Sequence, residues 1–143
     1  NLALENRPAD LVITTHVCRG NYHSTWASSG GYEPIAEILF GGENVDGFYL
    51  EFDDERSGSF EPLRFVPNNK KVVLGLLTSK SPVLEDERTI IERIHEAAQF
   101  VPLDNLYLSP QCGFASCEIG NKLTDEEQWK KLALVKQISE KVW

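Results

Sequence analysis

Lys71-Val72-Val73-Leu74-Gly75-Leu76-Leu77-Thr78 holds no polar side chain between its two ends. A run this short and this continuously apolar reads as a strand buried on both faces, the signature of a parallel sheet. Working outward, three further segments read as strands: Leu11 to Thr15, Gly47 to Phe52 and Leu106 to Ser109. A polar, glycine-containing loop, Arg19 to Gly31, follows the first of them. A short helix is expected from Glu33 to Phe40, stopped by Gly41-Gly42 as glycine stops helices. An acidic loop, Asp53 to Gly58, and a helical turn near Phe60 to Phe65 separate the second strand from the third. A helix from Glu85 to Phe100 places Ile90, Ile91, Ile94, Ala97, Ala98 and Val101 on one stripe. The last helix opens on a capping box, Thr124 with Glu127 three residues on. Trp129, Leu132, Val135, Ile138 and Val142 form its expected buried face. Asn1 to Asp10 shows no period of its own.

Strand and helix thus alternate four times, the pattern of a parallel sheet with crossover helices. The expected fold class is α/β, of the (β/α)₈ barrel type. Such barrels need about 250 residues, and this chain has 143. Residues 1–143 are therefore read as the C-terminal half of a barrel, four βα units in one domain. Four parallel strands alone leave two unpaired edges, so an N-terminal half or a second copy is expected to cover them. The chain starts at Asn1 and contains no methionine, which points to a segment of something longer.

The composition excludes several classes of partner. The net charge is −8, with 22 acidic residues against 14 scattered basic ones. Nucleic-acid binding needs a basic surface, so nucleic acid is not expected. The longest apolar run is far too short to span a bilayer, and with no basic n-region or cleavage site at the start of the sequence a secretory signal is not expected. No membrane association and a cytoplasmic location are expected. Three cysteines, an odd number, favour thiols or metal ligands over disulfides.

In a (β/α)₈ barrel the chemistry sits where strands end at their C-terminal rim. The strand ends read His16 and Cys18, then Glu51, then Lys80, then Cys112. His16 and Cys18 are two apart and point the same way if the strand persists. One imidazole, two thiols and a carboxylate on separate rigid elements make a zinc-type donor set. Taken singly, each has an ordinary reading: a packed histidine, small buried cysteines, a rim carboxylate facing water. Their conjunction at matching strand ends is what points to zinc.

Three pieces carry a resemblance: Thr15-His16-Val17-Cys18, Tyr49-Leu50-Glu51 and Leu108-Ser109-Pro110-Gln111-Cys112-Gly113. Together they resemble the C-terminal catalytic barrel of cobalamin-independent methionine synthase, and the overall look is that of its short stand-alone relatives. The likeness covers nearly the whole chain. It implies that His16, Cys18, Glu51 and Cys112 bind zinc. It also implies that homocysteine sulfur joins the metal and takes a methyl group from a methylated folate, giving methionine. In that family a histidine precedes Ser-Pro at the third strand end, where this chain has Lys80 in Thr78-Ser79-Lys80-Ser81-Pro82. Lys80 is accordingly a catalytic candidate, as an acid with a lowered pKa or as a binder of an anionic part of the donor. The carboxylates that hold the substrate amino group, and much of the folate site, belong to the first four units in that family.

Other residues are expected to stay outside the chemistry. His23 is read as a solvated loop residue, His95 as a surface residue of its helix, Cys117 as a free thiol, and Asp53, Asp54 and Glu55 as solvated acids. Trp26 and Tyr32 are expected to close over the site. Two rival functions remain at this stage. One is a zinc-binding or regulatory module, or an inactive fragment, without methyl transfer. The other is a hydrolase with Cys112 as nucleophile and His16 as base.

Overall fold

The structure, a computed structural model, describes residues Asn1–Trp143. Four strands, β1 (Thr14–Val17), β2 (Gly47–Glu51), β3 (Lys71–Leu77) and β4 (Leu106–Pro110), form one sheet in the order β1-β2-β3-β4. All three pairings are parallel. Each crossover therefore steps one strand in the same direction. A doubly wound sheet reverses its order partway and so gains helices on both faces. With right-handed crossovers and no reversal, the connections gather on one face, as around a (β/α)₈ barrel.

The first strand is shifted from its expected place. It begins at Thr14 rather than Leu11, and Leu11 and Val12 are 50% and 75% exposed. Asp46 is the cause. Its carboxylate accepts from the Ile13 backbone N–H at 2.7 Å and from both Arg7 guanidinium nitrogens at 2.7 and 3.0 Å. The chain is thus steered into the ladder only after Ile13, where Thr14 pairs with Gly47.

The crossovers before β3 keep their expected spans, but as 3-10 and π turns. Glu33–Ile35 is a 3-10 turn with Pro34 in its first turn, and Glu37–Gly41 continues it as one π turn. Glu61–Phe65 is likewise a 3-10 turn. Between β3 and β4 runs α1 (Glu87–Ala97), capped by the Asp86 carboxylate, which accepts from the Thr89 N–H at 2.8 Å. After β4 comes α2 (Asp125–Val142), with the expected capping box present in both directions.

The buried stripe of α2 differs from the expected one. Trp129 is 66% exposed, and the fully buried residue nearby is Lys131. Lys131 Nζ donates to the Val83 carbonyl at 2.7 Å and to Glu85 Oε1 at 2.9 Å. The first turns of α2 thus lie over the polar loop after β3. Its apolar side chains reach the core from Leu134 onward, with Val135, Ile138 and Val142.

The two faces of the sheet are unlike. Phe48, Leu50, Val72, Leu74 and Leu106 point to the crossover side and are essentially inaccessible. Aromatic rings line that side in series: Phe48 with Phe40, Phe40 with Tyr32, Tyr32 with Phe52, Phe52 with Phe60, at centroid spacings of 5.1, 6.1, 5.2 and 4.7 Å. By register, His16, Tyr49, Val73 and Tyr107 lie on the opposite face, where Tyr49 and Tyr107 are 40% and 46% exposed. No helix is long and apolar enough to cross a membrane.

Candidate metal centre

At the C-terminal ends of the strands the open face turns polar. His16 lies in β1, Cys18 just past it, Glu51 closes β2, and Cys112 follows β4 by two residues. One ligand atom from each of these residues lies within 4.8 Å of every other. Three strand ends thus bring together residues up to 96 positions apart in a chain of 143. Two of the four, His16 and Cys112, line a cavity of about 310 Å³ together with Tyr49, Ser109, Gln111 and Gly113, among others. Two roomier hollows, of about 400 and 440 Å³, lie away from it and contain none of the four.

Glu51 is the hub. Its side chain is fully buried, and its backbone N–H donates to the Tyr32 hydroxyl at 2.9 Å. Oε2 accepts from Gln111 Nε2 at 2.7 Å, while Oε1 faces His16 Nε2 at 3.4 Å and has no hydrogen-bond partner. Burial works against the charged carboxylate, yet the His16 ring, the Gln111 amide and the Cys112 thiol around it prevail and hold its pKa at about 2. The Cys112 thiol is pushed the other way, to about 12, first by burial and then by the neighbouring Glu51 charge. Cys18 Sγ accepts from the Gly20 N–H at 3.2 Å.

Lys80 also belongs to the cluster. Its Nζ donates to Gln111 Oε1 at 2.6 Å and lies 3.7 Å from Cys112 Sγ. The loop that carries it is anchored from below, because Glu85 Oε1 accepts from the Thr78 N–H at 2.9 Å and from the buried Lys131.

The donor set suits zinc. A zinc tetrahedron with bonds of about 2.0–2.3 Å has edges of about 3.3–3.8 Å, which these atoms meet with small side-chain shifts. A buried carboxylate oxygen without a partner is a group that a cation would satisfy. A cation would also reverse the thiol shift, since metal coordination removes the thiol proton.

The remaining expectations divide. His23 is a half-buried loop residue rather than a freely solvated one: its Nδ1 contacts the Gly120 carbonyl at 3.1 Å, tying the loop after β1 to the loop after β4. His95 is exposed, and Cys117 is a free thiol outside the cluster. Asp53 and Asp54 are not simply solvated but pair with Arg56, at 3.1 and 2.7 Å. Tyr32 does not close over the site; it is buried beneath Glu51 in the aromatic series, with the Arg19 guanidinium 4.4 Å from its ring. Trp26 is half-exposed beside Arg56, 4.8 Å from ring to guanidinium. As for Cys112 acting as a nucleophile with His16 as base, the His16 ring faces Glu51 and the thiol is held protonated, the reverse of activation. Sequence reasoning overlooked Gln111, whose one signal was its position between Pro110 and Cys112.

A singly wound parallel α/β sheet with a cluster of sulfur, nitrogen and oxygen atoms at its strand ends is the arrangement of a (β/α)₈ barrel rim. A family model for the cobalamin-independent synthase catalytic domain matches residues 4–139, and the chain belongs to that family. Two uncharacterized Bacillus subtilis proteins, YxjH and YxjG, are 57% and 55% identical over the whole of this chain. The chain spans 38% of the length of each. Among solved structures, a candidate vitamin-B12-independent methionine synthase from Listeria monocytogenes is 41% identical, with a TM-score of 0.70 over 99% of this chain and 38% of its own. A B12-independent methionine synthase from Shewanella, solved with selenomethionine, shares the fold at 23% identity, with a TM-score of 0.75 over 98% of this chain and 40% of its own.

Proposed function

We propose that this chain is the C-terminal half of a (β/α)₈ barrel and holds zinc through His16, Cys18, Glu51 and Cys112. In this reading the whole protein is an S-methyltransferase that moves a methyl group from a methylated folate to homocysteine. The observation that carries it is the convergence of the four donor atoms within 4.8 Å, supplied by three separate strand ends. Family membership supports the reaction class.

Zinc in such a site supplies Lewis acidity, which lets a substrate thiol lose its proton and act as a nucleophile at neutral pH. The chain's own residues set the charge around it. Two thiolates and one carboxylate keep the centre electron-rich. Lys80 places a positive charge beside Cys112, where it offsets part of that negative charge. Its ammonium already gives a hydrogen to Gln111, which favours a fixed cation that binds an anionic group over a free acid. Tyr49 and Tyr107, exposed on the ligand-bearing face, are the surface that further βα units or a second copy would cover, enclosing the thiol and its methyl donor away from water.

Metal analysis of the purified protein, with X-ray absorption at the zinc edge, tests this reading. About one zinc per chain is expected, gaining a sulfur neighbour when homocysteine is added and lost in His16→Ala and Cys112→Ser. Unchanged zinc content in both variants would sink it. Zinc that never admits homocysteine would instead favour a binding or regulatory module.

A further inference from the structure

Glu51 and Lys80 carry opposite charges, yet no direct ion pair joins them. What lies between them is the Gln111 side chain, 3% exposed. Its Nε2 donates to Glu51 Oε2 at 2.7 Å and its Oε1 accepts from Lys80 Nζ at 2.6 Å. An amide suits this place for a simple reason. It is neutral, and it offers a donor to an anion at one atom and an acceptor to a cation at the other. A carboxylate at 111 would repel Glu51, and a hydrocarbon would take from each charge the hydrogen bond the amide gives it.

The backbone is built to hold it there. The Gln111 N–H donates to the Leu77 carbonyl at 2.8 Å, past the irregularity between Gly75 and Leu77. A Cβ on Gly75 would stand 3.1 Å from Gln111 Cα and 2.8 Å from the Leu50 carbonyl oxygen. Gly75 therefore leaves the room that Gln111 occupies.

We infer that Gln111 is a positioning residue: its amide spans Glu51 and Lys80, turning Glu51 Oε1 toward His16 while tethering the Lys80 ammonium beside Cys112. The inference rests on the zinc reading above and adds to it a cause for the carboxylate's orientation. With Oε2 held by Gln111, the oxygen without a hydrogen-bond partner is Oε1, the one that faces His16. Partners of this outer kind are worth about 10–100-fold in metal affinity.

The test compares wild type with Gln111→Met and with Gln111→Asn, whose amide is one methylene too short to span both charges. Zinc affinity by chelator competition should fall about 10–100-fold in Gln111→Met and by a smaller factor in Gln111→Asn. Glu51→Gln should weaken zinc strongly in wild type and much less in the Gln111→Met background, because an unheld Glu51 has little left to lose. Independently of metal, acylation of Lys80 followed by mass spectrometry should be faster in both Gln111 variants, with the other lysines unchanged. Thermal unfolding of the metal-free proteins separates these effects from loss of fold, and the Asn variant carries the test if the Met variant does not fold. Wild-type zinc affinity in the variants, losses at 51 and 111 that multiply fully, or unchanged Lys80 labelling would overturn the inference. A wild type that binds no zinc would overturn the metal reading and the Glu51 half of this one, with Lys80 labelling still reporting on the tether.

Discussion

The two faces of this sheet are made by the same four strands and follow different rules. The crossover face is a closed apolar layer in which Phe48, Leu50, Leu74 and Leu106 have almost no contact with solvent. The opposite face carries His16, Tyr49, Glu51 and Tyr107, polar or amphipathic groups, several of them partly exposed. The apolar core lies on the first and the candidate site on the second. Glu51 joins them: its carboxylate belongs to the polar cluster, while its backbone N–H rests on the hydroxyl of Tyr32 in the aromatic layer. The contrast shows how a donor cluster can stand on a half-open surface and still be held firmly, because its supports lie in the closed layer behind it.

The strongest way to break the comparison is Phe48→Ala. Removing a fully buried ring that packs on Phe40 should cost about 3–5 kcal/mol in denaturant unfolding. A loss under about 1 kcal/mol would mean that the crossover face is not the stabilising one. Next, Lys131→Met leaves Glu85 without its buried cation and should cost about 2–3 kcal/mol, toward the low side for breaking a buried pair because Glu85 is not fully enclosed. The same variant should loosen the Thr78–Glu85 loop, read as faster amide exchange at Thr78.

Tyr32→Phe sharpens the link between the faces. It strands the buried Glu51 N–H and should cost about 1–3 kcal/mol. Burial raises the Tyr32 pKa to about 12, against an unfolded value of about 10. A raised folded value means that this contribution is whole below about pH 10 and is lost as pH climbs toward about 12. Wild type should therefore lose more stability than Tyr32→Phe across that window; equal losses would contradict the assignment. The smallest effect is expected on the open face. Tyr107→Ser should change stability by no more than about 0.5 kcal/mol, and a large loss would show that this face already packs as a core.

Much of this was legible in sequence. Val72 to Leu77 announced a strand, buried except at half-buried Val73 on the open face, and the four βα alternations announced a parallel sheet. The capping box at Thr124 and Glu127 was correct in both directions, because capping is chemistry within one turn. His16, Cys18, Glu51 and Cys112 were readable as a set, because a barrel-type sheet presents its strand ends on one rim, so topology alone makes distant residues neighbours. The errors were of another kind. Leu11 and Val12 read as a strand interior, but the Asp46 carboxylate, 33 residues from Ile13, decides where pairing starts. Trp129 read as core, yet α2 lies over a polar loop in its first turns, where Lys131 is the buried residue, and meets the core only later.

What the sequence by itself determined is the class of sheet and the identity of the four side chains that cluster at its rim. Both follow from local periodicity and from side-chain chemistry, which travel with the residue. Only the tertiary structure decided which oxygen of Glu51 is free, which neighbours hold the other, and that Gln111 stands between a carboxylate and an ammonium. Those are matters of a few ångströms between residues 29 to 60 positions apart. No spacing rule reaches across such gaps, because the packing of the whole sheet sets the distances.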